Sequence, residues 1–230
     1  MTLFPFPFQP DDPQLTDAAT GQPRAELVAA WGLAEVALVG PDDRTRLEAL
    51  QALAGSDDYR FSPVTCLVAF WLLQDNSVQL RAAAVQVLAA TLERVDGQWV
   101  APSSTRQHVA ELLKSLRPDE VMRLAALAFD VPDARTGVCA LLDRVTGLGE
   151  TLSAVVADRG AEHRLRLLAL ELLRTMGRVD ALPALEQFER RLLGLRLGQL
   201  NLNMALQSNP DAVALLKELH ATITYLREDE

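Results

Sequence analysis

Four stretches of this chain repeat one pattern of apolar and polar positions: RLEALQAL from Arg46, RAAAVQVL from Arg81, RLAALAFD from Arg123 and RLLALELL from Arg166. In each, an arginine is followed three residues on by alanine and then by leucine or valine. The copies start 35, 42 and 43 residues apart. Helical spacing inside each copy, at a period in this range, predicts a solenoid of stacked helix pairs.

The pattern extends along most of the chain. Pro23 opens a predicted helix to Val39, with Leu27, Ala30, Trp31, Ala34 and Leu38 on one face, and Gly40-Pro41 ends it. A second helix is expected over residues 42 to 54. Ser62-Pro63 reads as cap and first turn of a third, to Gln74, apolar on nearly every side and so buried between neighbours. Asp75, Asn76 and Ser77 turn the chain into the helix of the second copy. Residues 95 to 102, with Asp96, Gly97 and Trp99, read as a loop or short hairpin inserted between repeats. Helices follow from Ser103 or Ser104 to Leu116, from Pro118 until Pro132 stops it, over 133 to 145, after Gly147 and Gly149 to Asp158, and over 161 to 176. A long helix over 179 to 207 would span about 40 Å. With a last helix from Pro210 to Leu226, it forms a predicted terminal hairpin.

The recurring arginine falls on apolar rows: Arg81 with Val78, Val85 and Leu88, Arg46 with Leu50 and Leu53, Arg166 with Leu170 and Leu173. A charge on a core-facing row needs a partner. Four residues before each arginine stand Asp42, Ser77, Asp119 and Glu162, so three copies place an acid where it caps the helix and reaches the arginine one turn on. In the second copy Asp75 lies close by. Arg46, Arg81, Arg123 and Arg166 are read as structural, inter-repeat residues.

DNSVQLRAAAVQVLAATL at Asp75 to Leu92 resembles the second helix of a HEAT repeat, and PDEVMRLAAL at Pro118 and AEHRLRLLALELL at Ala161 are similar to it. The resemblance covers residues 23 to 176. It implies an all-α, right-handed α-solenoid of about four helix pairs, an arginine–aspartate ladder between repeats, and a role as scaffold or adaptor. The expected organisation is an extended arm over residues 1–22, HEAT-like repeats over 23–177 and a C-terminal helical hairpin over 178–230. The extra helix at 133 to 145 departs from strict two-helix units.

Composition narrows the partners. Of 230 residues, 22 are basic and 31 acidic, a net charge of -9, so long-range fields repel phosphate backbones and anionic lipid. Cys66 and Cys139 lie in apolar helical patterns and point to a reducing, cytoplasmic setting. The start, MTLFPFPFQPDDPQ, is interrupted by four prolines and is read as neither signal peptide nor membrane helix. Phe4, Phe6 and Phe8 alternate there with prolines in an extended segment. This arm either covers an end of its own solenoid or docks on another subunit or partner.

No motif for a reaction is present. His108, His163 and His220 lack metal-ligand spacing, and no phosphate-binding glycine loop or nucleophile elbow occurs. Cys66 has no local support as a nucleophile. No catalytic residue, metal site or cofactor is expected. Trp99 is a candidate partner anchor or a plug in the core. Asn201 and Asn203, amides among leucines, set a helix-helix register, either within the chain or at a homodimer seam. The leading expectation is a non-catalytic protein-binding scaffold. The alternatives are a HEAT-like lyase or base-modifying enzyme, as in some bacterial helical-repeat families, and a nucleic-acid binder using Arg190, Arg191 and Arg196.

Overall fold

A computed structural model describes residues 25–198 and 210–228. These residues are all-α apart from one hairpin of two two-residue strands. The helices are α1 (Ala25–Val39), α2 (Asp43–Gly55), α3 (Pro63–Leu72), α4 (Val78–Thr91), α5 (Ser103–Lys114), α6 (Pro118–Asp130), α7 (Arg135–Leu142), α8 (Leu148–Ala157), α9 (His163–Thr175), α10 (Leu182–Gly198) and α11 (Pro210–Glu228). The chain divides into two compact units, one ending at His108 and the other starting at Val109.

Helix starts follow local chemistry. Asp42 caps α2 through Thr45 N–H at 2.9 Å, and Ser62 caps α3 through Thr65 N–H at 3.1 Å, with Pro63 in the first turn. At α6 the capping is different: Glu120 reaches back to accept from Arg117 N–H at 2.8 Å and from the Arg117 guanidinium at 3.0 Å. Two predicted helices begin later than their sequence pattern suggests. Residues 132–134 and 179–181 form 3-10 turns, and α7 and α10 start only at Arg135 and Leu182.

In the first unit α1 packs on α2 and α3, α2 on α3 and α4, and α3 on α4. Two helix pairs thus lie side by side, first helix against first and second against second. The interior alternates small and large side chains. Ala30, Ala34 and Ala37 make a stripe on α1, and Leu50 and Leu53 of α2 and Leu80, Val85 and Leu88 of α4 are fully buried. α3 buries Thr65, Cys66, Val68, Ala69 and Leu72.

The second unit repeats the arrangement. α8 pairs with α9 and α10 with α11, α8 lies against α10, and α9 lies between α6 and α11. The predicted terminal helices therefore pack directly on α8 and α9. Leu215, Leu219, Ile223 and Leu226 give α11 a continuous buried row. No helix among the described residues is long and apolar enough to cross a membrane.

Candidate interaction surfaces

The repeated arginines settle into two different environments. Arg46 and Arg166 each reach back to the end of the preceding helix. Arg46 Nε donates to Ala37 O at 3.1 Å, and Arg166 Nε donates to Val156 O at 2.9 Å. Both carbonyls lie in the last turn of a helix, where they lack intrahelical donors and where a cation complements the dipole. Burial pushes the Arg166 guanidinium below its ordinary value, with the Asp158 carboxylate acting against this. Arg166 also lies over Phe188, 5.7 Å from the ring centre.

Arg46 does more. Its guanidinium pairs with Asp75, at the turn between α3 and α4, and approaches Asp43 at 3.7 Å. Asp75 is a node: its carboxylate also accepts from Ser77 N–H at 2.9 Å, while its backbone carbonyl accepts from Arg81 Nη1 at 2.8 Å. Arg81 donates again to Asn76 O at 3.1 Å. One aspartate thus joins the arginines of two successive copies.

The acid four residues upstream of Arg46 is not its partner. Asp42 turns onto Thr45, whose backbone N–H and hydroxyl hold its carboxyl below the usual range. Asp119 pairs with Arg117 at 3.7 Å, and the side chain of Glu162 makes no capping bond at the start of α9. A helix-start residue that faces its own first-turn N–H groups is turned away from the seam. Arg123 also differs from the expectation, since it is exposed. At roughly 100° per residue it sits about 130° from the centre of the face formed by Val121, Leu124, Ala125, Leu127 and Ala128.

Trp99 lies in a β-hairpin, β1 (Arg94–Val95) paired antiparallel with β2 (Gln98–Trp99), with Arg94 directly opposite Trp99. Asp96 and Gly97 form the turn with φ of 52° and 79°, the left-handed pair that matches strand twist in a two-residue connection. Trp99 is half-buried, and its ring carries the Arg94 guanidinium 3.9 Å and the Arg106 guanidinium 4.5 Å from its centre. Arg106, on α5, is oriented by donating to Ala101 O at 3.0 Å. Thr105 donates to Phe61 O at 2.9 Å, which brings in Arg60, stacked 5.0 Å from the Phe61 ring. Trp99 is thus a half-buried ring with two guanidinium groups against it, an arginine platform on the hairpin.

A second surface, absent from the sequence reading, lies in the other unit. Phe129 of α6 and His163, Arg164, Leu167, Leu168 and Glu171 of α9 line a cleft of about 270 Å³. Its rim is ionic: Arg164 pairs with Asp130 at 3.0 Å, and Arg135 pairs with Glu171 at 2.7 Å while lying 5.7 Å from the Phe129 ring. Leu167 and Leu168 carry a helical pattern, but only the packing of α6 against α9 brings Phe129 and Arg135 beside them.

The remaining candidates are dispersed. Phe4, Phe6, Phe8, Asn201 and Asn203 lie outside the described residues. Arg190 and Arg191 are exposed on α10, where Arg190 folds back onto Glu186 O at 3.4 Å. Cys66 is buried, and burial pushes its thiol up to about 12; Cys139 is raised by the same cause. His163 stands 3.9 Å from Asp211 and His220 2.9 Å from Glu189. Among the described residues no three of His, Cys, Asp and Glu are grouped to hold a metal. The fold defines an all-α protein of paired, layered helices. In comparisons with known proteins, no family model, no curated protein and no solved structure matches this chain.

Proposed function

We propose that this chain is a non-catalytic protein-binding module, a right-handed α-solenoid of HEAT-like helix pairs closed by its C-terminal helices and working in the cytoplasm. The observation that carries the reading is the use of its polar groups. Arg46, Asp75, Arg81 and Arg166 are spent on joining neighbouring helices and turns, and the Arg46–Asp75 pair joins one helix pair to the next. Two surfaces remain outside this framework, the arginine platform at Trp99 and the apolar cleft between α6 and α9, in the manner of a docking module.

Selection of a randomised peptide library against the full-length chain tests this. Enriched peptides should bind one of these two surfaces, with loss on Leu167→Arg for the cleft or on Arg94→Gln for the platform. Failure to enrich any peptide beyond an unrelated helical protein would overturn the reading.

A further inference from the structure

Arg60, Arg94 and Arg106 share with Arg166 a setting uncommon among the arginines of this acidic chain, and unlike Arg166 all three lie beside one hairpin. Each is held against an aromatic ring, and among the described residues none has a carboxylate within ion-pair distance. Elsewhere arginines find acids readily: Arg44, Arg46, Arg117, Arg135, Arg164, Arg174, Arg178 and Arg227 all do. A guanidinium stacked on a ring keeps its edge N–H donors directed away from the ring plane contact and loses little freedom when those donors take up a carboxylate. Arg60 and Arg94 are exposed and Arg106 is half-buried, so their donors are accessible.

We infer that the Trp99 hairpin is a docking platform for an acidic peptide segment, whose carboxylates are gripped by Arg94 and Arg106 with Arg60 beside them. The surroundings select the class of partner. Asp57, Asp58, Glu93 and Asp96 are exposed and next to these arginines in the chain, on a protein of net charge -9. A nucleic-acid strand carries a charge on every phosphate and would run across these acids. A peptide places its carboxylates singly and its neutral residues against the acids. Val95 and Val100, 53% and 37% exposed on the same hairpin, add apolar contact for a peptide's other side chains.

The inference rests on the protein-binding reading yet fails separately from it: selected peptides that bind only the α6–α9 cleft would leave the module standing and remove the platform. The direct test is fluorescence anisotropy with a labelled peptide whose glutamates are separated by neutral residues and the full-length chain at low salt, beside a single-stranded oligonucleotide of equal charge. Peptide affinity should fall with added salt, and Arg94→Gln and Arg106→Gln should each weaken it about tenfold, the scale of one charge-assisted hydrogen bond. Arg123→Gln should leave it unchanged. In the unsubstituted chain, the Nε–H resonances of Arg94 and Arg106 should move on titration, a readout independent of how the variants fold. No peptide binding, an equal loss in Arg123→Gln, unmoved arginine resonances, or tighter binding of the oligonucleotide would each overturn the platform.

Discussion

Arg46 and Asp75, 29 residues apart in the chain, form an ion pair whose side chains are only 15% and 14% exposed. Arg46 is simultaneously fixed to the end of its own pair's first helix through Ala37 O, and Asp75 to the next helix through Ser77 N–H. The pair is therefore a crossing point between the α1–α2 and α3–α4 layers. It adds a polar link to the packing of α1 on α3 and of α2 on α4.

Removing one partner should cost far more than a surface ion pair. Arg46→Met leaves the Asp75 carboxylate enclosed with its cation gone, and a loss of roughly 3 kcal/mol is expected from urea unfolding. Asp75→Asn should cost less, because the amide oxygen still accepts from Ser77. The double variant should recover about 1–2 kcal/mol relative to the sum of the single losses. Additive losses would mean that the two residues are not coupled.

Arg166 and Arg123 carry the same sequence pattern but should respond differently. Arg166→Met removes the donor to Val156 O in the last turn of α8, and should cost about 1–3 kcal/mol. Arg123→Ala, at an exposed site on α6, should stay within about 0.5 kcal/mol. Thermal or urea midpoints of the two variants give the contrast directly. Equal losses would show that burial of the motif arginine is not what matters.

Helix positions were legible because their determinants are local. Ser62-Pro63 and Asp42 cap within three residues, and the Asp96-Gly97 turn follows from two adjacent residues. The acid partner of Arg46 was not legible, for a complementary reason. A carboxylate one turn before an arginine looks like its natural mate, but at Asp42 the backbone N–H of Thr45 competes and wins. The true partner, Asp75, becomes adjacent only through pair-on-pair packing. The same holds for both surfaces: Arg106 reaches Trp99 from α5, and Arg135 reaches Phe129 and Glu171 from α7. At Trp99, too, no sequence periodicity shows that guanidinium groups lie against the ring.

Gly40, just after α1, leaves no room for a side chain. A Cβ there would stand 2.5 Å from Val36 O and 3.0 Å from Arg46 Cγ, and the carbonyl belongs to backbone that has little room to shift. Gly40→Ala should therefore destabilise by about 2 kcal/mol and disturb the seating of Arg46. Gly55, the last residue of α2, meets nothing within 4 Å, and Gly55→Ala should be neutral or stabilise by up to about 0.5–1 kcal/mol. Chemical denaturation of the two alanine variants separates close approach from a general preference for glycine near helix ends. Similar midpoints for both would remove close packing at Gly40 as the cause.

Asp42 should leave a signature at acid pH. Its carboxyl is held below the ordinary 3.8 chiefly by the Thr45 backbone N–H, then by the Thr45 hydroxyl. Because the folded value is depressed, its stabilisation is complete above the unfolded value of about 3.8 and is lost as pH falls through the folded one. Asp42→Asn keeps an oxygen acceptor for the helix start but has no proton to gain there. The gap between the parent chain and Asp42→Asn, followed by urea midpoint, should therefore be constant above pH 3.8 and shift against the parent below it. A gap that does not change with acidification would mean that the Asp42 carboxyl titrates alike in the folded and unfolded chains, and that Thr45 does not hold its charge.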